Sequence, residues 1–234
     1  MNVLVACEES QRVCKAFLDL GHNAFSCDLQ EPSGGLPDRH IMHDARLVAR
    51  SNSFYTIDGK QHTITRWHLM IAHPPCTYLT SCGSSFLFNS DGSVKDWERL
   101  QKGYEAKYFF YNLWNAPVKH ICLENPAPIK FFNLPPYSQI IEPFQFGEPW
   151  KKRTCLWLKN LPWLVPSEIV KPLSCWVECT GPGCRTKLHG MKGAVTAKDR
   201  SKTFQGVADA MAAQWGSYFL SGYQLSFGSD LFEN

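Results

Sequence analysis

Residues 2–28 read NVLVACEESQRVCKAFLDLGHNAFSCD, and this stretch decides the fold class. An apolar run from Asn2 to Cys7 is followed by a segment with helical spacing from Gln11 to Leu20. Gly21 comes next, a residue type that commonly follows a helix C-terminus. A second apolar run, Asn23 to Cys27, then stops at Asp28. This order predicts a parallel βαβ unit with an acid at the end of its second strand.

The alternation of strands and helices continues along the chain. We predict strands at 40–44, 67–72, 119–123 and 153–158, and helices at 45–51, 96–115 and 201–220. This pattern predicts an α/β fold with a mostly parallel sheet, in which ligands bind beyond the carboxyl ends of the strands. Five residues with reactive or acidic side chains fall at such ends: Cys7, Asp28, Asp44, Cys76 and Glu124.

Size and composition are those of one folded domain. The chain has 234 residues, of which 44% are hydrophobic and 19% charged, so we expect a single domain over 1–234 with one sizeable core. A Pro-, Gly- and Cys-rich stretch at 159–195 is predicted as a small loop-rich insert. The net charge of +3 neither identifies nor excludes a nucleic-acid binder. Basic residues cluster at 151–153 and 187–202, as a phosphate-facing surface or a solvated face.

The N-terminus and the cysteines indicate a cytoplasmic protein. The first apolar run stops at Glu8 and Glu9, which is too early for a signal peptide or a membrane span. The ten cysteines are scattered through strand-like and helix-like segments, unlike those of a disulfide-stapled miniprotein. We therefore expect no membrane partner.

Cys76 and Glu124 are the candidate catalytic pair. Pro74 and Pro75 forbid helix and sheet pairing, so they fix an extended turn that displays Cys76 at a strand end. Glu124 ends the following predicted strand. A thiolate can add to C6 of a cytosine ring if an acid engages N3, and this addition makes C5 nucleophilic. The structural alternatives are a cysteine that only forms the turn, and a glutamate that caps a helix or pairs with a lysine.

Four motifs resemble those of the DNA cytosine-5 methyltransferases. Pro74-Pro75-Cys76 resembles the family's Pro-Cys nucleophile motif, and Glu124-Asn125-Pro126 its Glu-Asn-Val motif. The segment 151–155 resembles the Gln-x-Arg-x-Arg motif with Arg153 as its first arginine, and 203–208 is similar to the final Gly-Asn-x-Val motif. The resemblance implies a Rossmann-like methyltransferase core that methylates C5 of a flipped-out cytosine in DNA. Small methyltransferase-like proteins of phage type are similar in size.

The resemblance also implies roles for individual residues. Cys76 would be the nucleophile and Glu124 the acid, with Arg153 assisting the nucleophile loop or the substrate. S-adenosylmethionine would be the methyl donor, with its ribose hydroxyls on Asp28 and its adenine beside Asp44. Further cofactor contacts would come from Cys7, Glu8, Pro74 and Gln205.

Three departures from the family pattern concern the cofactor and the substrate. Residues 6–11 lack the family's glycines, and their two carboxylates would repel a ligand carboxylate unless they meet its ammonium group. Cys155 replaces the second arginine of the Gln-x-Arg-x-Arg motif. The stretch after Leu156 is far shorter than a target-recognition domain, so strong sequence specificity is not expected.

A zinc site is predicted in the insert, with free cysteines as the alternative. Four residues have C-x3-C-x4-C-x4-H spacing and could order this loop-rich stretch around a structural zinc ion: Cys175, Cys179, Cys184 and His189.

Three functions remain open at this point. The first is a DNA cytosine-5 methyltransferase, and the second applies the same mechanism to a free cytidine nucleotide. The third is a binding protein that has lost methyl transfer and holds a nucleotide or interferes with a partner; the altered loop at 6–11 favours it.

Overall fold

The computed structural model describes residues 1–176 and 201–220. In these residues the strands are β1 (Asn2–Ala6), β2 (Asn23–Asp28), β3 (His40–Met42), β4 (Ser53–Tyr55), β5 (Gln61–Thr63), β6 (Leu69–Ala72), β7 (His120–Asn125), β8 (Gln139–Ile141), β9 (Trp150–Lys151), β10 (Thr154–Lys159) and β11 (Ser174–Cys175). The α-helices are α1 (Arg12–Asp19), α2 (Ala45–Val48), α3 (Ser84–Leu87), α4 (Trp97–Trp114) and α5 (Gln205–Leu220).

Seven strands form one sheet in the order β3-β2-β1-β6-β7-β10-β8. The first five in this order pair in parallel, and β10 lies antiparallel between β7 and β8. This is a doubly wound order that reverses between β1 and β6, with one antiparallel strand inserted near an edge. The predicted α/β fold class, Rossmann-like with a mostly parallel sheet, is confirmed.

Each face of the sheet packs against helices. Val3 and Val5 of β1 pack with Trp215 of α5, whereas Leu4 packs on the opposite face with Phe110 of α4. Successive side chains of a strand point to opposite faces, so a strand covered on both sides is apolar throughout. This explains why β1 reads as a continuous apolar run.

The main elements lie where the sequence predicts them, and several small ones were missed. The α4 helix begins after Asp96, whose side chain accepts a hydrogen bond from the Arg99 amide (2.9 Å), and ends before Pro117. The second predicted helix is shorter than 45–51 and ends at Val48. The β4–β5 hairpin was not predicted, because among its strand residues only Phe54 is buried and no alternating pattern marks it.

The predicted insert at 159–195 falls partly outside the described residues. In its described part the chain leaves β10 after Lys159, and β11 pairs in parallel with β9. The insert remains a prediction.

Candidate active site

A cleft of about 810 Å³ opens at the carboxyl ends of β1, β2, β6 and β7. Most of the residues predicted from the strand ends line it: Cys7, Glu8, Asp28, Asp44, Pro74, Cys76 and Glu124. The parallel register brings them together, because Ala6 pairs with both Cys27 and Ala72, and Ala72 pairs with Leu123. Its volume lies within the ordinary range for small-molecule sites, roughly 300 to 1,000 Å³.

The β1–α1 loop adopts left-handed backbone without glycine. Cys7 has φ = 59° and Gln11 has φ = 57°. The buried side chain of Gln11 ties the loop down, since its Nε2 donates to the Leu36 carbonyl (2.8 Å) and its Oε1 accepts from the Leu36 amide (3.0 Å). Gly34 packs so tightly here that a Cβ on it would lie 2.5 Å from the Cβ of Gln11. The chain therefore keeps the backbone shape for which glycine is usually chosen.

The Glu8 side chain caps the free amides at the N-terminus of α1. Its carboxylate accepts hydrogen bonds from the amides of Val13 (2.7 Å) and Cys14 (3.2 Å). Burial raises the pKa of Glu8 above its ordinary value, against the opposing effects of the nearby His73 and the two amide bonds. These helix amides would otherwise attract the phosphate of a nucleotide ligand. The loop therefore disfavours a pyrophosphate.

The two acids predicted to hold the ligand differ in their surroundings. Asp28, at the end of β2, accepts a hydrogen bond through Oδ1 from the Gln30 amide (3.0 Å). Asp44 caps α2 and forms an ion pair with Arg46 (2.5 Å), and the hydrogen bond from Arg46 lowers the pKa of Asp44. Because Asp44 is already engaged by Arg46, Asp28 is the more available of the two for ribose hydroxyls.

The turn after β6 fixes Cys76 beside the Glu124 segment. The amides of Leu79 and Thr80 both donate to the Cys76 carbonyl (3.0 Å each). The turn is joined to the segment after β7 by the Ser81 amide on the Ala127 carbonyl (2.9 Å) and the Ile129 amide on the Leu79 carbonyl (2.7 Å). These cross-links follow directly from the Pro74-Pro75 and Asn125-Pro126 sequences, which end sheet pairing at neighbouring strands.

The other thiol of the cleft is held in its protonated form. Burial, followed by the charges of Cys27, Asp28 and Asp44, raises the pKa of Cys7 well above its usual range. Burial likewise raises the pKa of Cys27 to about 12. Because the thiolate is the nucleophilic form, Cys7 is poorly suited to attack a substrate.

Glu124 is surrounded by hydrogen-bond donors and positive charge. Its Oε2 contacts Nδ1 of His73 at 3.1 Å, and only 16% of its side chain is exposed. Burial raises the pKa of Glu124, but the His73 hydrogen bond, the Lys152 charge and a hydrogen bond from Thr154 outweigh it, and the net shift is downward. Glu124 is thus a buried carboxylate held by at least two neighbours.

Some predicted residues lie away from the cleft, and others were missed. Arg153 is exposed, and its neighbour Lys152 lines the cleft. Gln205 is exposed and bonds Asp209 (2.8 Å). The sequence predicts no role for His73, which lies directly before Pro74, or for the lining segment 201–203, which overlaps the motif at 203–208.

Gly206 of that motif has a packing role. A Cβ at this position would lie 1.8 Å from the main-chain oxygen of Phe146, so only glycine fits.

The zinc prediction is not tested. Cys179, Cys184 and His189 lie outside the described residues, and among residues 1–176 and 201–220 no cluster of three candidate metal ligands occurs. Within those same ranges, no helix has the length and apolar character needed to cross a bilayer.

S-adenosylmethionine fits the residues present at this edge of the sheet. The acids Glu8 and Asp28 suit its ammonium group and ribose hydroxyls, and the occupied helix N-terminus calls for a ligand without a pyrophosphate. The fold and cleft thus define a Rossmann-like α/β protein with a small-molecule cleft at the switch point of its sheet.

Comparisons with known proteins place this chain in no named family. No protein-family model matches it, and no curated protein matches it. One solved structure, from Escherichia coli, is described as a "putative DNA modification methyltransferase encoded within prophage". The match covers 73% of this chain at 14% identity with a TM-score of 0.43, and it spans 52% of the length of that chain.

Proposed function

We propose that this protein transfers a methyl group from S-adenosylmethionine to C5 of cytosine through a covalent adduct with Cys76. The observation that supports this most is the joining of the Cys76 turn to the Glu124 segment at one cleft, next to the acidic ends of β1 and β2. A nucleophile, an acid partner and a cofactor half-site then share one opening. Cytosine in DNA is the first acceptor, and a free cytidine nucleotide is the alternative.

The donor half is formed by the first two strand ends. Asp28 would bind the ribose hydroxyls, and Glu8 the ammonium group, with Cys7, Asp44 and Pro74 completing the lining. Bound here, S-adenosylmethionine would supply an electrophilic methyl group facing the nucleophile turn. The chain's own contribution is to hold and orient this group and to disfavour a pyrophosphate in the donor half.

The acceptor half is formed by the ends of β6 and β7. The Cys76 thiolate would donate an electron pair to C6 of the ring, while N3 gains a proton at Glu124, and C5 becomes electron-rich enough to take the methyl group. Loss of the C5 proton, departure of the thiolate and return of the N3 proton to Glu124 then restore the aromatic ring. Lys152, close to Glu124, would favour the carboxylate that remains.

Cofactor binding is tested first, by calorimetric titration with S-adenosylmethionine and S-adenosylhomocysteine. We expect micromolar binding that Asp28→Ala weakens at least tenfold, because the ribose loses its acceptor. Asp38→Ala is the matched control, since Asp38 is an acid outside the cleft that pairs only loosely with Arg39 (3.5 Å). Absence of binding to either compound would refute the donor assignment.

Covalent addition is tested separately by the release of tritium from C5 of labelled cytosine. Thiolate addition makes this hydrogen exchangeable even without a methyl donor, so the assay isolates the acceptor half. We expect release that Cys76→Ser abolishes and that Cys14→Ala, a change at a buried core thiol of α1, leaves intact.

The acceptor is identified by comparing duplex DNA, single-stranded DNA and dCMP in this assay. Cofactor binding without tritium release from any of them would instead indicate a binding protein that has lost methyl transfer.

A further inference from the structure

His73 and Glu124 form a buried pair at the centre of the cleft. Nδ1 of His73 lies 3.1 Å from Oε2 of Glu124, and 9% of the histidine side chain and 16% of the glutamate side chain are exposed. His73 directly follows β6, and Pro74 after it favours an extended backbone at His73. The register of β6 with β7 then sets the two side chains beside each other.

The second ring nitrogen of this histidine is unused. Nε2 of His73 is buried and has no hydrogen-bond partner in the described part of the chain. A buried polar nitrogen without a partner is costly, commonly by about 1 to 3 kcal/mol. His73 lines the cleft, and its ring contacts Glu124 through Nδ1.

Charged and titratable groups from several neighbouring segments act on the His73–Glu124 pair. Glu8 of the β1–α1 loop feels the His73 charge, and Lys152, before β10, acts on Glu124. Burial, and to a smaller extent the Glu124 charge, raises the pKa values of the Cys122 and Cys155 thiols, so they stay neutral. His73 is therefore placed between an acid on the donor side and an acid on the acceptor side.

We propose that His73 and Glu124 act as one unit that holds a single proton, and that this shared proton is the one N3 of the acceptor base takes. The inference rests on the proposed function and adds His73 to it as the positioning residue of the acid. Glu124 alone, held by two donors and a lysine, is a carboxylate at neutral pH and has no proton to give. The His73 ring supplies the proton that the Glu124 carboxylate lacks.

The step balances without any further reactant. Before attack, the unit is an imidazolium and a carboxylate, with the proton between Nδ1 and Oε2. As the thiolate pair forms the bond from Sγ of Cys76 to C6, ring electrons move to N3, and N3 takes the shared proton. A neutral imidazole and a carboxylate remain. When the thiolate leaves, N3 returns this proton to the unit.

The test removes the shared proton but keeps the hydrogen bond to Glu124. The Nδ2 of asparagine can occupy the position of Nδ1, so His73→Asn can still donate to Glu124 but cannot carry a second proton. We expect tritium release from C5 to fall roughly 100-fold, the usual scale of general-acid catalysis. His62→Asn, in the β4–β5 hairpin outside the cleft, is the matched control.

The pH profile separates proton delivery from a structural role. In the wild-type protein, release should decline at high pH as the unit loses its proton. In His73→Asn the proton must reside on Glu124 alone, so this decline should move to lower pH. A uniform loss of rate with an unchanged profile would overturn the proposal.

A titration of the Glu124 carboxyl carbon, observed by 13C NMR, needs no activity. His73→Asn removes the positive charge, so the pKa of Glu124 should rise in the variant relative to the wild-type protein. An unchanged Glu124 pKa would disprove the shared unit even in an active enzyme. A raised pKa without wild-type tritium release from any acceptor would refute the proposed function, and proton delivery to a base would fall with it.

Discussion

Left-handed backbone at non-glycine residues shapes the ligand-facing loop. Cys7 at φ = 59° and Gln11 at φ = 57° carry side chains in a region that costs an L-residue about 1 to 2 kcal/mol. For Gln11, the hydrogen bonds of its buried amide group offset this cost. Cys7 has no such bonds to the Leu36 segment, so relieving its backbone strain should raise the free energy of unfolding.

At Cys7, a glycine variant should be more stable than an alanine variant, which is the reverse of the usual order inside a helix. We expect Cys7→Gly to be about 1 kcal/mol more stable than Cys7→Ala, because only glycine adopts this φ without strain. At Ala16, inside α1, Ala16→Gly should cost about 1 kcal/mol. Urea unfolding of all three variants measures both differences, and an equal or lower stability of Cys7→Gly would show that the loop stores no strain.

At the scale of elements, strand ends were predictable and long-range pairings were not. Cys76 and Glu124 could be placed because each follows an apolar run, and the order of runs indicates a parallel sheet. Lys152 could not, because it reaches Glu124 only through the antiparallel pairing of β10 with β7, which no local pattern announces. The same holds for segment 201–203, carried to the cleft by α5.

The start of α1 connects stability to ligand binding. Glu8 caps two amides while buried, and its raised pKa means that the protonated form is relatively more favoured in the folded state than in the unfolded state. A carboxyl of this kind stabilises the fold fully below its unfolded value of about 4.5, and the contribution is lost as pH rises through the folded value.

Glu8→Gln should therefore be more stable than the wild-type protein at neutral pH. Its amide oxygen can still accept the shorter of the two hydrogen bonds, from the Val13 amide (2.7 Å), and the side chain carries no charge to desolvate. The advantage should grow as pH increases above about 4.5, whereas Glu8→Ala should stay about 1 kcal/mol below Glu8→Gln, since it lacks the cap. Thermal unfolding between pH 4 and pH 8 gives both comparisons; a constant difference between Glu8→Gln and wild type would contradict the assigned pKa direction.

The whole molecule brings the two ends of the described chain to one opening. The α5 helix packs on α1 and the β1 face, with Trp215 fully buried and its Nε1 donating to the Pro162 carbonyl (3.1 Å). Segment 201–203, just before α5, also lines the cleft. A guanidinium NH of Arg12 donates to the Thr203 carbonyl (2.8 Å) and so ties the first loop to this distant segment.

Arg12→Ala should remove the hydrogen bond to the Thr203 carbonyl and weaken ligand binding in the cleft, while the other lining residues stay in place. Loss of a charge-assisted hydrogen bond should cost about 1.5 kcal/mol, amide hydrogen exchange should accelerate at 204–208, and S-adenosylmethionine binding should weaken several-fold. Arg50 provides the control, because its guanidinium group, like that of Arg12, donates to main-chain carbonyls. Its partners are Arg46 (2.8 Å) and Asn112 (3.0 Å), on the other face of the sheet. Arg50→Ala should lose comparable stability while binding the cofactor normally. Equal effects of the two variants on binding would mean that the cleft senses global stability alone, and segment 201–203 would then have no specific part in holding the ligand.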